Sequence, residues 1–118
     1  MNVTTLLQAT HDSCGFPLVY PANGTPEVTA YLVEMEPGET TGWHQHPVPL
    51  MGYIISGQLT VELATGQKRT MRQGQVSIEV VDQVHSGIND GTETLKVIVF
   101  AIGLQNVPIT IQVPHLPS

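Results

Sequence analysis

A chain of 118 residues is long enough for one ordinary hydrophobic core and too short for two, which predicts a single domain over residues 1–118. Four basic residues against ten acidic ones give a net charge of −6, which argues against the basic clusters that nucleic acid and anionic membrane surfaces require. The only cysteine, Cys14, excludes an internal disulfide and a cysteine-based zinc site. With neither an apolar run of transmembrane length nor a signal-like start, the sequence predicts a cytoplasmic protein, or a periplasmic one if a signal peptide has been removed.

The first half of the chain begins with an irregular lead-in, residues 1–25, in which glycine and proline recur without periodicity. After it, two-residue alternation and turn residues predict short strands, with Gly57 as the hinge between the last two. The predicted strands of this half are 28–36, 43–46, 50–56 and 58–64.

The second half continues the same pattern, with strands predicted over 68–72, 75–81, 95–102 and 107–113. The apolar run 95–102 is too short for a buried helix, so it predicts a central strand covered on both faces. Residues 86–91 read as a loop. Roughly eight to ten short strands with glycine-rich turns indicate an all-β sandwich or barrel, which would occupy residues 28–113.

Three histidines are the strongest functional signal. His44 and His46 are two residues apart in a predicted strand, so both imidazoles point to the same face. His85, on a later segment, could complete a triad of nitrogens. Imidazole suits iron, copper, nickel and zinc, and three ligands leave coordination positions open for a substrate. His11 and His115 lie in irregular terminal segments and are expected to be exposed.

Two spaced motifs surround these histidines. The first, Gly-x5-His-x-His followed by an acidic position and a glycine, is represented here by Gly38, His44, His46, Leu50 and Gly57. The second is represented by Gly74, Val80, Asp82, His85 and Asn89. This pattern resembles that of the cupin family, specifically its small single-domain members. The resemblance implies the cupin jelly roll, or double-stranded β-helix barrel, and a mononuclear metal site formed by the three histidines.

The sequence departs from the cupin pattern at the acidic position, where Leu50 replaces the usual glutamate ligand. The resemblance therefore implies the three-histidine variant found in thiol and diketone dioxygenases. The expected cofactor is a divalent transition metal, iron for an oxygenase, with zinc, manganese, nickel and copper as alternatives. Val80 and Asp82 replace the proline and glycine of the second motif, which affects the backbone more than the chemistry.

An apolar substrate pocket is predicted beside the metal, bounded by Leu50, Gly52 and Ile54 on one strand face. Glu79 interrupts an apolar strand. The favoured interpretation is that it points to solvent, and the alternative is an inward carboxylate that orients a ligand histidine or acts as a base.

Three functions are compatible with these features. The first is a non-haem metal-dependent dioxygenase acting on a small organic substrate. The second is a non-catalytic cupin that binds or senses a small molecule. The third, an isomerase or epimerase, needs an acid–base residue near the triad, for which Glu79 is the candidate. The low charge and the cupin resemblance both predict a homodimer, with neither nucleic acid nor membrane as a partner.

Overall fold

The computed structural model describes residues 1–114 and is all-β over that range. It contains nine strands: β1 (Pro26–Met35), β2 (His44–Gln45), β3 (Leu50–Ser56), β4 (Gln58–Leu63), β5 (Lys68–Arg72), β6 (Val76–Ile78), β7 (His85–Ile88), β8 (Leu95–Leu104) and β9 (Ile111–Gln112). Residues 1–25 contain no strand, only an isolated bridge between His11 and Pro17. No helix among the described residues is long and apolar enough to cross a membrane.

The strands form two antiparallel sheets, which confirms the predicted jelly roll. One sheet has four strands in the order β1-β8-β3-β6, and the other has five in the order β5-β4-β7-β2-β9. Sequence neighbours such as β3 and β4 lie in different sheets, so the chain crosses between the two layers repeatedly. This interleaving closes the layers around a shared interior.

The hydrophobic core fills the interior with residues contributed by both sheets, because alternate positions of each strand point inward. Leu50, Ile54 and Leu95 are almost completely buried. The remaining core positions are Met35, Val48, Leu59, Val61, Met71, Val97, Val99 and Ala101.

Gly57 makes the turn that carries the chain from the four-stranded to the five-stranded sheet, as predicted. Its φ angle is 77°, and an added Cβ would lie 3.0 Å from the backbone of Thr94 and Leu95. Any residue with a side chain would be strained in its backbone and crowded at that point.

Three strand predictions need correction. The strand containing Phe100 has one exposed face, because its outer positions are uncovered in this chain, so the prediction of burial on both faces was wrong. Residues 85–88 form β7 and not a loop, since pairing with β4 outweighs the poor strand propensity of serine and glycine. The last strand is limited to Ile111–Gln112.

Asp82 lies in the turn between β6 and β7 with a φ of 59°, a conformation that favours glycine. Its amide donates a hydrogen bond of 2.9 Å to the carbonyl of His46. The turn conformation expected of the second motif is thus retained without its glycine.

Candidate metal centre

The fold brings the three predicted histidines together. His44 in β2 and His85 in β7 are directly paired across the ladder, and His46 follows β2. All three are buried, with exposed fractions of 6%, 1% and 4% respectively. One ring nitrogen from each lies within 4.8 Å of the others. His11 is exposed, as expected, and His115 lies outside the described residues.

A backbone carbonyl fixes the tautomer of each imidazole. Nδ1 of His44 donates to the carbonyl of Gly42 at 2.8 Å. Nδ1 of His46 donates to Ile109 at 2.9 Å, and Nδ1 of His85 donates to Gln83 at 2.8 Å. Because a carbonyl only accepts, each neutral ring carries its proton on Nδ1 and presents the Nε2 lone pair to the shared centre.

Nε2 of His85 is buried without a hydrogen-bond partner, and Nε2 of His46 is buried against the Glu79 carboxylate. Leaving a buried polar atom without a hydrogen bond costs about 1–3 kcal/mol of stability, so a buried ring nitrogen of this kind indicates a site for an ion or a ligand. Burial lowers the pKa of His44 and of His85 below the usual range, which favours the neutral ring that a metal requires. The donor set fits one divalent transition-metal ion.

Glu79 points into the barrel, so the favoured prediction of a solvent-facing side chain was wrong. Its side chain is 21% exposed, and Oε2 lies 2.9 Å from Nε2 of His46. The contact is an ion pair when that nitrogen carries a proton. The sequence pattern could not show this orientation, because β6 ends at Ile78, one residue before Glu79. Two-residue alternation gives the direction of a side chain only within a strand.

The Glu79–His46 contact changes the charge of both groups. Burial would raise the pKa of the Glu79 carboxyl, but His46 and the other two imidazoles outweigh it and hold that pKa below its usual range. Burial would lower the pKa of His46, but the Glu79 carboxylate outweighs it and raises that pKa. The centre therefore contains a negative charge beside the nitrogens.

A cavity of about 190 Å³ adjoins the histidines. Leu50 and Gly52 line it, whereas Ile54 is fully buried in the core and is not among the lining residues. Gly52 does not open extra space, because an added Cβ would lie 2.9 Å from Cγ1 of Val97. Apart from the histidines and Glu79, most of the wall is aliphatic: Val33, Met35, Leu59, Val61, Leu95 and Val99.

The sequence did not point to the polar residues of the cavity wall other than the histidines and Glu79, of which Tyr31 and Ser77 bear on ligand binding. Tyr31 in β1 is half-buried, and burial together with the Glu79 charge raises the pKa of its phenol, which keeps it protonated. Ser77 in β6 is 3% exposed, and its hydroxyl has no hydrogen-bond partner. The alternation of Tyr31 with Val33 and Met35 along β1 was the signal that could have identified the tyrosine.

A comparison with protein families identifies the fold independently. The family described as Cupin domain matches residues 31–101, more than half of the chain. The chain therefore belongs to the cupin family. It matches no curated protein.

Solved structures with the same fold are distant in sequence. An uncharacterized conserved protein with a double-stranded β-helix domain from Klebsiella pneumoniae is 21% identical, with a TM-score of 0.63 over 82% of this chain and 86% of that one. The DMSP lyase DddQ from Ruegeria pomeroyi is 18% identical, with a TM-score of 0.64 over 77% of this chain and 45% of that one. An oxalate oxidase is 24% identical, with a TM-score of 0.62 over 74% of this chain and 46% of that one. The chain spans less than half of the two enzymes, and these similarities establish the fold.

Proposed function

We propose that this cupin binds a single divalent transition-metal ion through His44, His46 and His85. The observation that carries the proposal is the convergence of three buried imidazoles, whose ligand nitrogens lie within 4.8 Å of one another. Three nitrogens oriented by backbone carbonyls form a preorganised donor set, for which the protein need not reorder side chains. The three rings leave coordination positions open on the side of the cavity.

The cavity beside the ion is the proposed site of a small organic substrate. Its volume of about 190 Å³ limits the ligand to a small molecule, since pockets for drug-sized ligands are about 300–1,000 Å³. An aliphatic wall favours a ligand that is apolar over most of its surface. Ser77 and Tyr31 would bind a polar group of that ligand, since each offers a hydroxyl at the cavity wall.

The proposed reaction class is dioxygenase-type oxidation. A divalent iron in such a site supplies Lewis acidity and redox chemistry at its open positions. The chain's own contribution is to hold the imidazoles neutral and oriented, to exclude water with Leu50, Leu59 and Val61, and to keep a proton on the Tyr31 phenol. Similarity in fold to an oxalate oxidase is compatible with this class but does not identify the substrate.

Elemental analysis and oxygen consumption together test the proposal. Freshly purified protein should contain about one transition-metal ion per chain, as expected for a single three-histidine site. The iron-loaded protein should consume oxygen with at least one substrate class among β-diketones, thiols and phenolics. Metal binding without turnover of any of the three would favour the alternative, a cupin that binds or senses a small molecule. Protein that takes up no metal would contradict the proposal itself.

A homodimer is the proposed assembly, formed by the outer face of the four-stranded sheet. Paired positions of β1, β8 and β3 place Ile98 between Leu32 and Tyr53, and place Phe100 beside Met51. Most of these side chains are exposed, and the charged residues next to them on this face, Glu34 and Lys96, are paired across the ladder at its end. A second copy fits this face because its own apolar face would meet it without burying an unpaired charge. Light scattering should give about twice 12.8 kDa, and a Phe100→Lys variant should be monomeric.

A further inference from the structure

We infer that Glu79 is a fourth ligand of the metal and replaces the glutamate that this chain has lost at Leu50. The inference rests on the proposed metal site and adds a carboxylate oxygen to its three nitrogens. It assigns Glu79 to the coordination sphere and not to an orienting role behind a histidine.

The first argument is the position of Glu79 relative to Leu50. The register of β3 and β6 pairs Met51 with Ile78, so the next pair outward is Leu50 with Glu79. The Glu79 amide donates a hydrogen bond of 2.9 Å to the Leu50 carbonyl, which continues the ladder. Both side chains line the same cavity. Directly opposed residues have Cβ atoms about 4.5–5.5 Å apart, so the acid sits one strand away from its usual place.

The second argument is the geometry of the contact with His46. Oε2 of Glu79 lies 2.9 Å from Nε2 of His46, where it pairs with the ring when that nitrogen is protonated. Two ligand atoms that are each about 2.1 Å from one ion lie ~3.0 Å apart when their bonds are at right angles. The same separation therefore allows the oxygen and the neutral ring nitrogen to be adjacent ligands of one ion, which would take the place of the proton.

The third argument is the cost of a carboxylate in this cavity. Glu79 is the only acidic residue among those that line it, and most of its neighbours there are aliphatic. A carboxylate that is mostly buried, as here with 21% of the side chain exposed, needs a cation or hydrogen-bond donors to offset its desolvation. In this conformation it contacts one imidazole, and its three side-chain torsions give the carboxylate reach toward the centre that the three nitrogens share.

Titration of four proteins with Co²⁺ against a competing chelator tests the inference. The proteins are the wild type, Glu79→Gln, His85→Ala and Glu62→Gln. Glu62→Gln is the matched control, since it also removes one carboxylate, but one that is 38% exposed, lies outside the cavity and pairs with Lys68 at 3.6 Å. The visible ligand-field spectrum of bound Co²⁺ gives a second readout that reports the donor set. Glu79→Asp serves as the carboxylate-retaining variant should Glu79→Gln fail to fold.

Glu79→Gln should weaken Co²⁺ binding more than about 100-fold, beyond the ~10–100-fold expected for losing a group that only orients a ligand, and should alter the spectrum. Glu62→Gln should stay within about threefold of the wild type, as expected for an exposed charge. Glu79→Asp should give an intermediate affinity and an altered spectrum.

Three results would overturn the inference, each in a distinguishable way. An unchanged affinity and spectrum in Glu79→Gln, with metal lost in His85→Ala, would leave the histidine site intact and remove Glu79 from it. A weaker affinity with an unchanged spectrum would place Glu79 outside the coordination sphere as a positioning residue. A wild type that binds no Co²⁺ would remove the proposed metal site together with its fourth ligand.

Discussion

The two sheets of the barrel present different chemistry to the same cavity. The five-stranded sheet holds His44 and His85 as a cross-strand pair, and each imidazole is anchored to a backbone carbonyl. The four-stranded sheet contributes mainly aliphatic side chains, and its one charged group, Glu79, is joined to the centre by its side chain. The difference indicates that the five-stranded sheet fixes the positions of the ring nitrogens through its main chain. The four-stranded sheet shapes the pocket and supplies a carboxylate on a flexible side chain.

Removing one fixed nitrogen should have the largest effect. His85→Ala should weaken metal binding at least about 1,000-fold, more than the roughly 10–100-fold seen when a group that orients a ligand is lost. This corresponds to about 4 kcal/mol. His11→Ala is the control, because His11 is exposed in the lead-in. Chelator competition measures both variants, and equal losses in the two would show that the buried cluster is not the site.

Adding a charge to the aliphatic four-stranded sheet should have the next largest effect, in this case on stability. Leu50→Glu would place a second carboxylate opposite Glu79 and should destabilise the metal-free protein by about 3 kcal/mol. Bound metal should recover much of that loss by neutralising the pair. Thermal unfolding with and without divalent metal measures it, and Leu50→Gln should show no such recovery. Destabilisation that metal does not change would place Leu50 away from the ion.

The shape of the pocket wall can be tested at Gly52. An added methyl group at Gly52 would meet Val97 at 2.9 Å, so Gly52→Ala should cost about 1–3 kcal/mol of unfolding free energy. Gly103→Ala is a matched control in β8, where a new Cβ would meet its nearest neighbour at 3.5 Å. Denaturant unfolding should separate the two variants. Similar stabilities would mean that Val97 can move aside and that the wall is not close-packed.

The smallest effect is expected at Asp90, which does not line the cavity. Its carboxylate accepts hydrogen bonds of 2.9 Å from Gln58 and from Thr60, and the bond from Gln58 is the main cause of its lowered pKa. A lowered pKa means that the stabilisation is present above the ordinary pKa and is lost as pH falls through the folded-state value. Asp90→Asn should therefore cost less than about 1 kcal/mol at pH 7 and nothing in strong acid, as measured by unfolding across pH.

The sequence was sufficient for the all-β class, because two-residue alternation is a local pattern that located most strands. The jelly roll and the convergence of His44, His46 and His85 came from the resemblance of two motifs to those of cupins. The sequence failed for Glu79, whose direction depends on pairing between distant segments beyond the end of β6. It also failed for the outer face of β8, since an apolar run does not reveal whether a second layer covers it.

β2 is one of the two shortest strands and carries one of the three rings, with a second just beyond its end. Its two residues are held between β7 and β9, and β9 is itself only two residues long. Short ladders of this kind open locally at low free-energy cost, well below global unfolding. A bound ion would link β2 to β7 through His44 and His85 and would raise the free-energy cost of this local opening. Amide hydrogen exchange at residues 44–46 should therefore slow on metal binding while exchange in the long β1–β8 ladder stays nearly constant.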